Sequence, residues 1–504
     1  MNLFSLIADR RGGTPERALV EPDGGAALDW RGIDADTGRY ANMLAGLGLK
    51  RGDRVAVQAE KSPNALLLYL GCLRAGLVYL PMNTAYRAEE VAFLLGNAEP
   101  GLLVCDPAAE AGMRDLARQA GVARVLTMDA KGGGSLDEAA RGSSSAHTPV
   151  ACADGDPACI LYTSGTTGRP KGAVLSHGNL IVNALDLVGA WGIGESDVLI
   201  HALPIFHAHG LFVACHTSLI AGARMIWMAK FDAGAVLAAL PRATMLMGVP
   251  TFYVRLLAQP GLDRGAAAHM RLFVSGSAPL LEETFRAFQE RTGHAILERY
   301  GMTETGMNTS NPLHGERRAG TVGFPLPSTE VRIRGEDGRI LGADAVGGVE
   351  VRGGNVFSGY WRLPEKTAED FTADGWFKTG DVGLIDERGY VHLVGRAKDL
   401  VISGGFNVYP KEIEGVIDRM AGVVESAVIG VPHADFGEAV VAVVHRAANG
   451  PGEDEVIAWV KERLAGFKVP RRVVFVPELP RNTMGKVQKN LLRQTYGKPA
   501  KPSA

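Results

Sequence analysis

The chain has 504 residues, 46% of them apolar and 21% charged, with a formal net charge of −2. That composition is ordinary for a soluble globular protein, with room for about three folding units or one large and one small domain. The balanced charge argues against nucleic acid or an anionic membrane as partner, and no stretch approaches the roughly 18 uninterrupted apolar residues of a membrane span.

The start, "MNLFSLIADRRGG", has too short an apolar run for a secretory signal. Among the cysteines (Cys72, Cys105, Cys152, Cys159 and Cys215) there is no CxxC pair. The expectation is a cytoplasmic protein with reduced thiols and no metal cluster.

Along the first part, strands alternate with helices. "DRVAVQAE" (53–60) reads as a strand. Ser62-Pro63 then supplies an N-cap and a first-turn proline for the helix "NALLLYLGCLRAG". "LVYLP" (77–81) and "GLLVCD" (101–106) read as strands on either side of the helix 87–98. This alternation predicts βαβ units and a mainly parallel sheet. The polar stretch 129–149 reads as a connector, after which "ACILYTS" resumes as a strand and enters a glycine-rich loop.

That loop is "TSGTTGRPKG", Thr163–Gly172. It misses the Walker A pattern, because Lys171 is followed by Gly172 and preceded by Pro170. A strand feeding small and hydroxyl residues still offers backbone N–H groups and hydroxyls to an anion, with Lys171 as a point charge. From about residue 321 glycine rises and the pattern turns to β-hairpins. From about residue 400 a compact α/β unit of about 105 residues follows, large enough to fold by itself.

Four further short stretches carry chemistry-bearing side chains. In "ERYGMTET" the pair Thr303-Glu304 follows Tyr300-Gly301, which reads as a turn, and Glu304 beside a phosphate loop is a natural Mg²⁺ ligand. "FKTGD" places Asp381 after a glycine turn, where a carboxylate can accept from ribose hydroxyls. "GRAKD" adds Arg396 as a second ribose or phosphate contact. "NTMGK" aims Lys486 from a tight loop near the C-terminus. Singly, each is an ordinary turn.

Together, in this order, these five pieces resemble the core motifs of the adenylate-forming acyl-CoA synthetases, the superfamily that includes luciferase and the peptide-synthetase adenylation domains. The resemblance runs from near the N-terminus to about Tyr496. Within the superfamily the chain is most similar to malonyl-CoA synthetases, through "HALPIFHAHGLF", "MGVPTFYVRLL", "VSGSAPLL" and "YGMTETGMNTSNP". The resemblance implies an α/β fold: a large domain (1–395) of βαβ-rich and β-rich subdomains, a hinge (396–399) at Lys398, and a small mobile lid domain (400–504). It also implies ATP, Mg²⁺ and CoA as cofactor and co-substrates, and small-molecule partners only, in a monomer or homodimer.

Carried over by residue, Thr163, Ser164, Gly165, Thr166, Thr167, Gly168 and Lys171 hold the β- and γ-phosphates. Thr303 contacts the α-phosphate and Glu304 ligates Mg²⁺. Ser277-Ala278-Pro279 and Tyr300-Gly301-Met302 flank adenine, and Asp381 and Arg396 hold the ribose. Lys486 bridges the acid and the α-phosphate, then leaves, so that Ser403-Gly404-Gly405 reach the pantetheine tunnel.

A dicarboxylate needs a buried cation for its distal end. Arg255, following an apolar strand, is the candidate, with Arg286 a weaker second. His207 and His209, two apart, lie on one side of a strand if extended, and the resemblance implies that His207 joins the acyl pocket with His209, Ser277 and Met307 near the distal carboxylate. The chain departs from its apparent relatives at Ala208, where many carry a hydroxyl residue, and at Gly306, where many carry a larger one. Both remove volume, so C2-substituted malonates such as methylmalonate are expected to be accepted. Other readings that stay open are a CoA ligase for another small acid and an adenylating enzyme that loads a carrier protein.

Overall fold

A computed structural model describes residues 1–163, 170–403, 406–433, 437–482 and 485–497. Among these the strands form four sheets. The continuous apolar runs become parallel strands covered on both faces, the environment that such runs require. In one sheet Arg54–Gln58, Val78–Pro81, Leu102–Cys105 and Val125–Thr127 run parallel with Pro157–Thr163, and Lys171–Ser176 and Gly359–Tyr360 extend it antiparallel. In the second, Arg224–Trp227, Val198–His201, Met245–Gly248, Leu272–Ser275 and Leu297–Met302 form the parallel centre, and Gly306–Ser310 folds back antiparallel.

Both sheets share one apolar core with the helices Trp30–Gly46, Pro63–Arg74 and His177–Ala190. Local signals set the start of these helices. Ser62 caps the helix at Pro63 by accepting from the Ala65 N–H at 3.1 Å, satisfying one of the orphan donors of the first turn.

A third, antiparallel sheet is built from Thr329–Arg334, Gly347–Gly353, Phe377–Ile385 and Val391–Arg396. A single 3₁₀ turn, Ala397–Asp399, then leads into the fourth sheet. This sheet contains Val401–Ser403, Phe406–Val408, Val423–His433, Gly437–Arg446 and Arg472–Val476, and it has apolar clusters of its own. The fold is therefore mixed α/β, with a large N-terminal domain and a smaller C-terminal one.

Several local readings change. The polar stretch 129–149 contains a helix, Ser135–Arg141, which buries Leu136 and Ala140. The strand that enters the glycine-rich loop, Pro157–Thr163, pairs antiparallel with Lys171–Ser176 beyond it. Tyr300 and Gly301 lie inside the strand Leu297–Met302, and the turn falls at Thr303–Thr305. Asp381 lies within the strand Phe377–Ile385, aimed by Gly380 at φ +72°. Finally, His207 and His209 are not on a strand. A π-helical segment, His209–His216, begins there, so strand alternation does not put the two imidazoles on one face.

Candidate active site

The phosphate hairpin stands beside three groups drawn from distant parts of the chain. Lys171 Nζ lies 4.2 Å from the Tyr360 ring centroid and 3.7 Å from Asp370 Oδ2. The Tyr360 hydroxyl donates to Glu304 Oε1 at 3.1 Å. Glu304 is buried, and burial raises its pKa, opposed by the Tyr360 hydrogen bond and by the charges of Arg396 and Lys171. One buried carboxylate facing a phosphate site fits Mg²⁺, which takes one or two carboxylates and fills its shell with water and phosphate oxygens. Tyr360 and Asp370 carry no motif of their own. Gly359–Tyr360 reaches the site only by adding to the edge of Lys171–Ser176. Ser164, Gly165, Thr166, Thr167 and Gly168 lie outside the described residues, and Thr303 sits partly buried in the turn next to Glu304.

The ribose candidates are adjacent because their strands pair. Asp381 lies directly opposite Arg396, with Arg396 Nε 2.7 Å from Asp381 Oδ1. The other carboxylate oxygen accepts from the Tyr300 hydroxyl. Arg396 Nη1 also donates to the Thr379 carbonyl at 3.2 Å. Tyr300 therefore turns its hydroxyl to Asp381, leaving its ring to wall the site. Gly301 has no room for a side chain, since a Cβ there would meet the Gly306 carbonyl oxygen at 2.1 Å.

Among the residues expected at the acyl end, Ser277 is a non-glycine residue held at φ +69°; such strain clusters at functional sites. Ala278 and Pro279 follow it. Ser277 Oγ lies 3.3 Å from His209 Nδ1. His209 is buried, its pKa lies well below the usual histidine value because of burial and the nearby Arg299 charge, and its Nε2 has no partner among the described residues. His207 is partly buried, and burial pushes its pKa down to about 4.

Arg299 is the residue that sequence reasoning missed. Its side chain is buried, and Nε and Nη2 have no acceptor among the described residues. The guanidinium lies against Gly276, where a Cβ would come within 2.4 Å of Cζ. Burial pushes its pKa down to about 9. The available signal was an arginine inside the apolar run "AILERYG", which a central strand does not tolerate without a purpose.

Arg255, expected to be buried, is exposed on the helix Pro250–Leu257, and it makes no ion pair or side-chain hydrogen bond among the described residues. The apolar strand Met245–Gly248 ends before it, and the helix turns the guanidinium outward. It lies one turn along from Thr251, whose side chain would contact a Cβ at Gly485 at 3.2 Å. Arg286 is exposed and pairs with Glu282 at 3.1 Å. Met307 is buried, and Asn183 binds its N–H and carbonyl at 3.0 and 2.8 Å. Ala208, Phe212, Asn183, Gly306 and Asn355 line a narrow pocket with room for about one water. Gly306 has φ +59°, and a Cβ there would meet Asn183 Oδ1 at 2.5 Å, so a larger residue would have to displace Asn183.

Lys486 occupies a loop fastened at both ends. The Lys486 N–H donates to Asn482 Oδ1 and the Asn482 N–H to the Lys486 carbonyl, each at 2.9 Å. Arg481 donates to Glu425 and to the Gly485 carbonyl, and Lys489 Nζ reaches Glu414 Oε1 at 2.5 Å. Gly485 meets Thr251, which brings the loop to the N-terminal domain. The ammonium pKa is lowered by the surrounding protein and by Arg396 and Lys398, with Asp381 and Asp399 acting in the opposite sense. Lys398 sits in the 3₁₀ turn, and the neighbouring Asp399 pairs with Arg493 of the C-terminal domain at 2.7 Å. Ser403 is buried at the end of Val401–Ser403. Gly404 and Gly405 lie outside the described residues.

Residues 8–361 match the family of AMP-binding enzymes, and residues 412–486 match the AMP-binding enzyme C-terminal domain. The chain is similar to ATP-bound MatB from Rhodopseudomonas palustris, at 54% identity and a TM-score of 0.96 over 98% of this chain and 99% of that one. Against the apo structure of MatB from the same organism, with the same coverage, the TM-score is 0.86. It is 34% identical to a malonate–CoA ligase of Arabidopsis thaliana, covering 91% of this chain and 80% of the relative. It is 36% identical to a feruloyl-CoA synthase of Amycolatopsis, covering 97% of this chain and 98% of the relative. The chain belongs to the AMP-binding enzymes and is an acyl-CoA ligase of the adenylate-forming superfamily.

Proposed function

We propose that this acyl-CoA ligase is a malonate–CoA ligase, joining malonate and CoA at the expense of ATP, through malonyl-AMP. The observation that carries the reading is the buried guanidinium of Arg299, two of whose N–H groups lack an acceptor among the described residues, with its charge acting on His209, whose Nε2 also lacks a partner there. A buried cation without acceptors is costly, and a second carboxylate on the substrate relieves it. A ferulate or fatty acyl chain would leave these groups unpaired. The malonate–CoA ligase relative from Arabidopsis agrees with this choice among the varied acids of the family.

In the first step a malonate carboxylate oxygen bonds to the α-phosphorus, the bond to the β-phosphate bridging oxygen breaks, and pyrophosphate leaves. Thr163, the loop Ser164–Gly168 and Lys171 hold the departing β- and γ-phosphates. Asp381 and Arg396 fix the ribose, and Ser277–Pro279 with Tyr300–Met302 wall the adenine. Lys486 bridges the attacking carboxylate and the α-phosphate, and Thr303 donates to the α-phosphate. Glu304 would hold Mg²⁺, whose charge offsets that of the phosphates. In the second step the CoA thiol attacks the acyl carbon and loses its proton, and AMP leaves. Two such steps in one place require exchange of the groups facing it, so rotation about Lys398 withdraws Lys486 and brings in Ser403, Gly404 and Gly405. The ion pair Asp399–Arg493 and the Gly485–Thr251 contact support a lid held in the adenylating position.

At the distal end, Arg299, His209 and Ser277 receive the second carboxylate, with Arg255 at the rim and His207 and Met307 beside the acyl carbon. The absent side-chain volume at Ala208 is what extends the reading to methylmalonate, since the space beside Gly306 is filled by Asn183. Pyrophosphate release across C2–C6 mono- and dicarboxylates, with and without CoA, tests the whole. The expected maximum is at malonate or methylmalonate, and a maximum at a monocarboxylate would overturn the proposal.

A further inference from the structure

Lys61 is the most deeply placed lysine of the large domain that no step above uses. It lies between the strand Arg54–Gln58 and the helix Pro63–Arg74, with 7% of its surface exposed. Its ammonium has three protons and three acceptors: the His201 carbonyl at 2.8 Å, the Met228 carbonyl at 2.6 Å and His201 Nδ1 at 2.8 Å. The Trp227 ring, its centroid 4.5 Å from Nζ, covers it, and Trp227 also stacks on His201. The charge therefore sits where the strands Val198–His201 and Arg224–Trp227 end, the end of a parallel sheet at which ligands bind.

The geometry determines a tautomer. Burial pushes the Lys61 pKa down to about 7, but His201 Nε2 faces the Gly210 carbonyl, which can only accept, so the ring proton resides on Nε2 and Nδ1 accepts from Lys61. His201 Nε2 donates to the Gly210 carbonyl at 2.9 Å, and the Cys215 thiol donates to the same oxygen at 3.2 Å. Gly210 is the second residue of the π-helical segment, directly after His209, and its Cα packs so closely on the Pro204 carbonyl that a Cβ would come within 2.1 Å. The loop from Ala202 to Ala208 and the π turn are thus held to one another beside the same imidazole.

We infer that Lys61 is a positioning residue of the acid pocket: through the His201 tautomer it fixes the Gly210 carbonyl and the turn that presents His207 and His209 to the acid. The inference rests on the acid-pocket reading above, although not on which acid is used. A filler of the core would be replaceable by an apolar side chain of equal length, since exchanging a buried ion for a well-packed apolar group is often neutral. A positioning cation is not.

Lys61→Met, assayed with the acid that the wild type prefers, is expected to raise KM for the acid roughly tenfold to a hundredfold, the cost of a displacement of about 1 Å. KM for ATP should stay within about twofold. His201→Asn is the second variant, for the case in which Lys61→Met does not fold. It keeps an acceptor for Lys61 but removes the donor to Gly210, and it should show the same selective rise. Equal rises in both KM values, or an unchanged KM for the acid in either folded variant, would overturn the role. If the wild type prefers a monocarboxylate, the malonate reading fails, while the split between acid and ATP still tests Lys61.

Discussion

Replacing Arg299 by methionine should move activity and stability in opposite directions. In the free protein the guanidinium is buried with two unpaired N–H groups, and burial holds its pKa at about 9 against an ordinary 12.5. At about 1.4 kcal/mol per pH unit that corresponds to roughly 4–5 kcal/mol spent on keeping the charge there. Methionine removes the charge but packs less well, so a net gain of roughly 1–3 kcal/mol remains, the range seen when buried ions are exchanged for apolar groups. Bound malonate reverses the sign. Truncating one partner of a buried, hydrogen-bonded charge pair costs roughly 2–5 kcal/mol, about 30-fold to several thousandfold in kcat/KM at about 1.4 kcal/mol per decade. The assays are pyrophosphate release with malonate and with acetate, and thermal melting of the ligand-free enzyme. Arg299→Met should lose malonate turnover, keep acetate turnover within about threefold, and melt no lower than the wild type. Malonate kcat/KM within threefold of wild type, or an equal loss for both acids, would refute the reasoning.

Lys486→Ala should abolish acyl-AMP formation while sparing thioester formation from supplied acyl-AMP, read by pyrophosphate release and by CoA thiol consumption. Glu414→Gln weakens the pair with Lys489 that fastens the Lys486 loop, so it should slow the first half-reaction about tenfold and the second little; equal slowing would show general destabilisation. Arg255→Ala tests the rim, and malonate KM should rise while a monocarboxylate of similar size is unaffected. Burial depresses the pKa of His177, His201, His207, His209 and His216, so the unfolded chain binds more protons below pH 6.5 and stability falls as pH drops towards 4. The raised carboxyls of Glu298 (about 8) and Asp418 (about 7) oppose this across the same window, being protonated when folded. The net loss between pH 6.5 and 5 is on the order of a few kcal/mol, so the melting temperature should fall; an unchanged value would show that the histidines are not held neutral.

The contrast between Arg255 and Arg299 shows where sequence reading ends. Both stand near apolar runs, and the more conspicuous one is exposed because a helix turns it outward, whereas Arg299 faces Gly276 because a parallel strand puts it there. The histidine pair shows the same limit: two residues apart means one face on a strand but not on the π turn that forms. Local structure was readable where the residues needed are contiguous, as in the Ser62 cap of the helix Pro63–Arg74 and the tight loop Asn482–Lys486, but not at Asp381, which pairing with Arg396 draws into a strand.

By itself, then, the order of residues determined the α/β alternation, because hydrogen-bonded turns and apolar periodicity act over a few neighbours, and its motifs pointed to the AMP-binding family through their resemblance to it. Tertiary structure alone decided the acid end: which cation is buried, which imidazole nitrogen lacks a partner, and how Tyr360 and Lys61 reach groups far away in sequence. Burial and charge are properties of the assembled sheets, and they act between residues that chain order leaves unconnected.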